Sequence, residues 1–496
     1  MDRRSLLLTG GGAALLAACG GGDSMHGGGP MGGSGPMSPT PLGTTPALPA
    51  GLPLLMPARL ANRSTTPGLF DAELVAAPVE VALGPGARTQ FWAFNGTVPG
   101  PLIEVTEGDR VRITFSNRLP SQDSTIHWHG MPVPAAQDGN PMNPVPPGSS
   151  RVYDFTLPPD CAAPYWYHPH PHRVTHEQVF RGLAGAFIVK PRSDPLPAGV
   201  IDTPLLVTDL RLDAAYQVAP NIAMDYVLGR EGDVLLINGG LRPVLTTAPG
   251  AVHRLRLFNM TNARYLRLAI DDLSMTLIGT DGGLLAAPRS GISELLLAPG
   301  ERAEVLASFV RDTVLRTLAY DRGSMMMGMG TTARASDLLL TVRVAGAAAA
   351  PLVLPPSLRT VLALSAPTAR KRLVLGPTGM MAGAGMGAFT INGRSFDPAR
   401  IDETSQAGAV ELWEVANPTN MDHPFHLHGT QFQVAARVRN GVATPEPLLA
   451  WKDTVNVARG ETVQFLVRQN EPGLRMYHCH ILEHEDQGMM GVVAVV

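Results

Sequence analysis

The segment His478-Cys479-His480-Ile481-Leu482-Glu483-His484-Glu485-Asp486-Gln487-Gly488-Met489 carries one thiol, three imidazoles and a thioether within twelve residues. Soft sulfur with imidazole selects copper over the oxygen-loving metals, and two His, one Cys and a weak axial Met make a trigonal site that passes single electrons. Cys479, His484 and Met489 fill three of those roles, so a second histidine has to come from elsewhere in the chain. In an extended segment neighbouring side chains point to opposite faces. His478 and His480 therefore face away from Cys479 and serve another metal. A single peptide then joins an electron-accepting copper to a second centre. On this motif alone, a zinc site or a buried cysteine among solvated histidines stays open as the alternative.

The rest of the chain narrows the choice. His127-Trp128-His129, His168-Pro169-His170 and His426-Leu427-His428, the last preceded by His423-Pro424-Phe425, repeat the His-x-His form. Ten of the fourteen histidines fall in these four clusters, a regularity that scattered core or surface histidines do not produce. Eight imidazoles are enough for more than one further ion, each with two or three protein ligands and positions left open, as catalytic metal sites require. Protons need carriers, and carboxylates close to the metals are the natural ones. Glu485 follows His484 directly, and Asp138 lies nine residues after His129. Asp422 and Asp486 have weaker claims. His172 extends the HPHPH run, and His26, His176 and His253 have no partner at ligand spacing, so all four stay outside the site.

With the motifs HWHG at His127, YWYHPH at Tyr165, HPFHLHG at His423 and HCHILEHEDQGMM at His478, in that order, the chain resembles the multicopper oxidases over roughly residues 67–496. That family includes laccases, ferroxidases and bacterial cuprous oxidases. The resemblance implies four copper ions. His423, Cys479 and His484 would hold a type 1 copper with Met489 as distant axial ligand, and His127 and His426 a type 2 copper. A type 3 pair would be held by His129, His168 and His480 on one ion and by His170, His428 and His478 on the other. Asp138 and Glu485 match positions where bacterial oxidases of the family carry carboxylates that serve the oxygen-reducing centre. Dioxygen and a small reductant are the implied partners, and a monomer is expected.

A chain of 496 residues predicts about three domains. Phe94-Asn95-Gly96, Ile237-Asn238-Gly239 and Ile391-Asn392-Gly393 each open a stretch ending in a further asparagine, Asn117, Asn259 or Asn417, at gaps of 22, 21 and 25 residues. Runs between them, such as Arg110 to Phe115 and Val252 to Leu257, alternate apolar and polar residues as half-buried strands do. Short strands separated by 53 Gly and 45 Pro indicate an all-β fold of antiparallel sandwiches or Greek-key barrels. The resemblance makes each unit a cupredoxin-like domain, at 67–192, 200–346 and 360–496. The middle one has no ligand motif, and its expected task is to hold the outer two together.

Residues 1–19 read as an export signal. Arg3-Arg4 precedes an apolar stretch too short to span a bilayer, which ends in the lipobox Leu16-Ala17-Ala18-Cys19. Twin-arginine export and lipid on Cys19 are expected, giving a periplasmic or membrane-anchored cell-envelope lipoprotein. Ordinary cleavage to a soluble product is the alternative. Residues 20–66, rich in Gly, Pro, Ser and Met, read as a flexible tether. Cys161 and Cys479 are then the only body cysteines, with Cys161 a buried structural thiol. A net charge of −3 and a pI near 6.5 offer no basic footprint for nucleic acid.

Methionine bears on the electron donor. The chain has 21, grouped at Met325, Met326, Met327 and Met329, at Met380, Met381 and Met386, and at Met489 and Met490, with Met421 two residues before His423. Thioethers select cuprous copper, and copper-tolerance oxidases of the resembled family are Met-enriched, which favours Cu(I) as donor. Their long Met-rich insertion shrinks here to 376–387, and Met also fills core gaps. A laccase acting on phenols and aromatic amines, or a ferroxidase, therefore remains. A non-catalytic copper-binding or cell-division scaffold is the reading from another class, but relatives of that kind lose copper ligands and here every one is intact. A copper nitrite reductase is disfavoured, because it needs one mononuclear catalytic copper.

Overall fold

The computed structural model describes residues 45–84, 86–325, 334–377 and 389–496. The export signal with Cys19, and Met326, Met327, Met329, Met380, Met381 and Met386, lie outside the described residues. The described chain is built of strands in six sheets, paired into three cupredoxin-like domains, with only short helices such as Thr175–Phe180, Ala223–Leu228 and Leu482–Asp486.

Alternation along the strands builds each core. In Leu69–Gly84 the residues Phe70, Ala72, Leu74 and Ala76 are buried and meet Val111, Ile113 and Phe115 from the neighbouring strand Arg110–Asn117. Tyr165, Tyr167, Phe187 and Val189 close the same core from the opposite sheet. Leu255, Leu257, Val305, Leu266 and Leu315 form the second core, and Leu373, Trp413, Phe465, Phe425 and Cys479 belong to the third.

The repeated Asn-Gly pairs are tight turns. Asn95, Asn238 and Asn392 have φ of 50°, 51° and 55°, and the glycines after them 75°, 83° and 72°. Both positions are left-handed, the geometry that matches the twist of a hairpin and that Asn-Gly adopts most readily. Each asparagine also accepts from a strand N–H through Oδ1, from Val75 (2.7 Å), Leu206 (2.9 Å) and Val374 (2.8 Å). The second asparagine of each repeat pins a corner. Asn117 Nδ2 donates to the carbonyls of Gln122 and Val145, Asn259 Nδ2 to those of Arg264 and Leu297, and Asn417 Nδ2 to those of Met421 and Val457. In the outer domains the corner leads into His127–His129 and His423–Leu427, whereas in the middle domain it leads into Leu266–Ile270, a strand without histidine. The same backbone device thus serves all three, and side chains alone decide where metal can bind.

Two expectations differ in detail. Val252–Asn259 is buried on both faces rather than half-buried, because Arg254 and Arg256 lie inside against Glu304 and Asp202. The tether expected over 20–66 does not hold for 45–66. Thr45 donates to Asp233, Gly51 and Leu54 donate to the carbonyls of Leu241 and Val244, and Leu60 donates to the carbonyl of Leu102, whose N–H donates back to that of Ala58. The segment caps edge strands whose unpaired backbone groups would otherwise lie open, a partner that its own composition does not reveal.

Asn259→Ala strips two carbonyls and the Thr261 N–H and hydroxyl of their buried partner. The expected loss is about 3 kcal/mol, read as a lower denaturant midpoint. The blue absorption of the copper-loaded protein is unchanged, since this corner holds no metal residue.

Candidate metal centre

Residue alternation at the end of the chain sets the geometry. Gly473–Cys479 pairs antiparallel with His423–Leu427, placing Cys479 opposite Phe425 and His478 opposite His426. Cys479 turns into the third core, while His478 turns to the other face, toward the first domain. There His127 lies opposite His168 across the pairing of His127–His129 with Ala163–His168.

His423, Cys479 and His484 come together as a set able to hold one ion. The Cys479 Sγ lies 3.5 Å from His423 Nδ1 and 3.9 Å from His484 Nδ1. His484 Nε2 donates to the carbonyl of Val227 at 3.1 Å, so its Nδ1 is the bare nitrogen, and Thr419 Oγ1 holds His423 Nε2 at 3.1 Å. The Ile481 N–H donates to Sγ at 3.4 Å. Phe389 stacks on His484 at 3.9 Å. Burial pushes the His423 pKa down to about 3 and raises that of the Cys479 thiol, so without a cation neither charged form is favoured. Met489 is fully buried, and its carbonyl accepts from the Cys479 N–H at 3.0 Å.

The other eight histidines meet between the first and third domains, all fully buried. His127 Nε2 faces His426 Nε2 at 3.4 Å, and His478 Nε2 faces His170 Nε2 at 3.2 Å and His428 Nε2 at 3.0 Å. His127, His426 and His478 each place Nδ1 against a backbone carbonyl, of Asp138 (3.0 Å), Asp453 (2.8 Å) and Cys479 (3.0 Å). A carbonyl only accepts, so those Nδ1 atoms carry the protons and the facing Nε2 atoms are bare. Burial lowers the pKa of His426, His428 and His170 well below the ordinary value and keeps them neutral. Lone pairs converging in a dry site repel unless a cation lies between them, and imidazole donors suit copper.

His170, His428 and His478 form a compact trio. The trio His129, His168 and His480 gathers more loosely, with ring centroids 5.8 Å, 4.9 Å and 5.7 Å apart. His129 Nδ1, His168 Nε2 and both His480 nitrogens have no hydrogen-bond partner among the described residues, as ligand atoms require. Nitrogens also cluster as His127, His129 and His168, and as His127, His426 and His428. Neighbouring ion positions therefore share this one wall of imidazoles.

Both singled-out carboxylates lie on it. Asp138 Oδ2 accepts from His428 Nδ1 at 3.0 Å, and its Oδ1 is 3.2 Å from His127 Nδ1. Glu485 Oε2 is 3.1 Å from His478 Nδ1 and Oε1 is 3.5 Å from His170 Nε2, with burial raising the Glu485 pKa. Asp486 instead accepts from His176 Nδ1 at 2.6 Å, and Asp422 from Tyr320 and the Arg459 N–H, so neither reaches the imidazole wall. His253 sits between Thr203 and Thr247, and His172 packs on Phe396. Cys161 is buried and unpaired, its pKa pushed up to about 12 by burial.

Two residues escaped the sequence reading. Asp453 accepts from His129 Nε2 at 3.1 Å, and Arg302 of the middle domain binds both Asp453 oxygens at 2.7 and 2.6 Å. Neither lies within a His-x-His motif. The Lys452-Asp453-Thr454 step three strands away carried no ligand signal, and only the fold brings it here.

A buried thiol with two imidazoles in one domain, joined by one strand to an interdomain group of eight imidazoles, defines a copper protein built for electron transfer into a metal cluster. Multicopper oxidase family models match residues 76–194, 207–315 and 367–496. The chain is 32% identical over 410 residues to the multicopper oxidase Mco of Staphylococcus haemolyticus, covering 81% of this chain and 83% of that one. It is 33% identical over 432 residues to the cell division protein FtsP of Xenorhabdus nematophila, at 82% and 85% coverage. The solved multicopper oxidase of Campylobacter jejuni superposes with a TM-score of 0.86 at 38% identity, covering 92% of this chain and 98% of that one. The chain belongs to the multicopper oxidase family and is a copper-dependent oxidase of the laccase type.

Cys479→Ser is expected to abolish the blue colour and turnover while leaving the circular dichroism of the β fold intact. His129→Ala spares the blue colour and stops oxygen uptake, measured with an oxygen electrode.

Proposed function

We propose that the chain holds four copper ions and oxidises Cu(I) to Cu(II) outside the cytoplasm, coupling four such oxidations to the reduction of dioxygen to two waters. His423, Cys479, His484 and Met489 would hold the electron-accepting ion. His127 and His426 would hold a second, and His129, His168 and His480 with His170, His428 and His478 a pair. When bound, copper supplies one-electron storage at the sulfur site and four-electron reduction of dioxygen at the imidazole group. The residues supply the rest. Cys479 lies in the third core with its two backbone neighbours in the imidazole wall, so the path between the sites is covalent. Asp138 and Glu485, within 3.5 Å of ligand nitrogens, are the proton carriers. Complete burial of the wall excludes bulk water, which guards partly reduced oxygen from release.

The observation that favours Cu(I) is the sulfur beside the electron-accepting site. Met421 is fully buried two residues before His423, and Arg322 Nη1 lies 3.8 Å from its Sδ. Gly323 bridges to Met421, and Met325 packs on the third core. Met325, the first of the Met325, Met326, Met327, Met329 group in sequence, thus packs on the domain that holds His423. The Campylobacter jejuni relative is described as a metallo-oxidase, in keeping with a metal-ion donor. The likeness to cell division proteins does not displace the enzyme reading, because all ten cluster histidines, Cys479 and Met489 are present. Arg3-Arg4 and the lipobox at Cys19 support export and lipid anchoring, with the oxidase facing the compartment where Cu(I) is toxic.

Steady-state rates on Cu(I), Fe(II) and a phenol, with the copper-loaded full chain, test the donor. Replacing Met325, Met326, Met327 and Met329 by Leu is expected to lower kcat/KM for Cu(I) about tenfold with little change on the phenol. Equal loss on both, or none, argues for a general laccase.

A further inference from the structure

The imidazole wall has an approximate two-fold pattern. In the first domain the Asp138 carbonyl accepts from His127 Nδ1 of the same domain, and its carboxylate accepts from His428 Nδ1 of the third. In the third domain the Asp453 carbonyl accepts from His426 Nδ1 of the same domain, and its carboxylate accepts from His129 Nε2 of the first. Each aspartate therefore reaches across the interface to the second histidine of the other domain's His-x-His-Gly motif. The stacked ring pairs repeat the pattern, His127 on His428 at 3.8 Å and His129 on His426 at 3.7 Å.

The glycines that end both motifs fit it too. A Cβ on Gly130 would stand 1.9 Å from Asp453 Oδ2, and one on Gly429 1.6 Å from Arg475 Nη1. Each glycine opens space for a buried arginine group behind the wall, but the two arginines act differently. Arg475 donates both Nη groups to the Val133 carbonyl at 3.2 Å, and among the described residues no ion pair joins it to Asp138. Arg302 grips Asp453 at both oxygens. It also donates Nε to the carbonyl of Pro164 (2.7 Å), Nη1 to that of Gly300 (3.0 Å) and Nη2 to that of Asp281 (3.1 Å). All five of its N–H donors are used, on acceptors from all three domains. Asp281 Oδ1 fixes the Arg302 backbone N–H at 2.7 Å.

We propose that Arg302, acting through Asp453, is the positioning residue by which the middle domain orients His129 and His426 for the copper cluster. A carboxylate clamped at both oxygens has one orientation, so it accepts His129 Nε2–H and leaves Nδ1 bare toward the cluster. The clamp also fixes the peptide whose carbonyl sets the His426 tautomer. Both oxygens being bound to Arg302, Asp453 is an orienting group and not a metal ligand, although it lies within reach of His129 and His426 as a ligand would. The middle domain is thus part of the site it carries no ligand for. Asp138 has no such arginine clamp among the described residues. This inference rests on the four-copper reading above.

The test uses the full chain with Asp453→Asn and Arg302→Lys. Copper loss from the cluster to a chelator is expected to become about 10- to 100-fold easier. The type 2 electron paramagnetic resonance signal and the type 3 near-ultraviolet band change, while the blue band persists. In the copper-free wild type, nitrogen-15 histidine spectra show His129 protonated at Nε2, and Arg302→Lys loses that preference. Variants with wild-type chelator resistance, signals and His129 tautomer overturn the proposal. If Asp453→Asn does not fold, Arg302→Lys, which keeps the charge, decides. If neither folds, a copper-free wild type with His129 protonated at Nδ1 overturns it. A wild type that binds fewer than four coppers overturns the four-copper reading instead, and the His129 tautomer still judges the clamp.

Discussion

One feature of extended backbone governs this molecule: consecutive side chains leave a strand on opposite faces. At His478-Cys479-His480 that alternation sends sulfur into the third domain's core and imidazole into the boundary with the first domain. Two chemically distinct environments therefore lie one residue apart. A helix could not do this, since its neighbouring residues project about 100° apart rather than across a sheet. The antiparallel partner His423–Leu427 obeys the same alternation in register, so Phe425 backs Cys479 and His426 meets His478.

Burial then decides the chemistry of the groups so placed. Burial holds His170, His426 and His428 neutral, and carbonyl acceptors fix which nitrogen of His127, His426 and His478 keeps its proton. The Nε2 atoms of His127 and His426, and of His478 with His170 and His428, face one another at 3.0 to 3.4 Å, and an uncompensated meeting of acceptors in a dry interior is costly. A cation resolves it. The protein thereby stores a demand for metal in its packing, and the domains that contribute the histidines are bound to each other through whatever ions they hold.

Much of this was legible in the chain. His-x-His spacing marked every imidazole of the wall, because ligands two apart on one strand share a face whatever the surrounding fold. The Asn-Gly pairs marked the three repeated hairpins, since left-handed backbone at two consecutive residues is a local demand. Glu485 and Asp138 were visible by their nearness in sequence to ligands. Asp453 and Arg302 were not, because their link to His129 spans 324 residues in one case and runs through a second domain in the other. The segment 45–66 likewise looks like a linker by composition, and only the open sheet edges beside it explain why it is held.

The amino-acid sequence by itself determined the donor atoms, their grouping and the strand repeat, all of which depend on residue type and short spacing. Tertiary structure alone decided which groups share an ion-sized space, which nitrogen of His127, His426 and His478 is bare, and that a domain without ligand motifs reaches the imidazole wall through Arg302. The reason is one of range. Backbone alternation and turn conformation act over a few residues, whereas hydrogen-bond direction and burial are set by partners that meet only when distant strands pack.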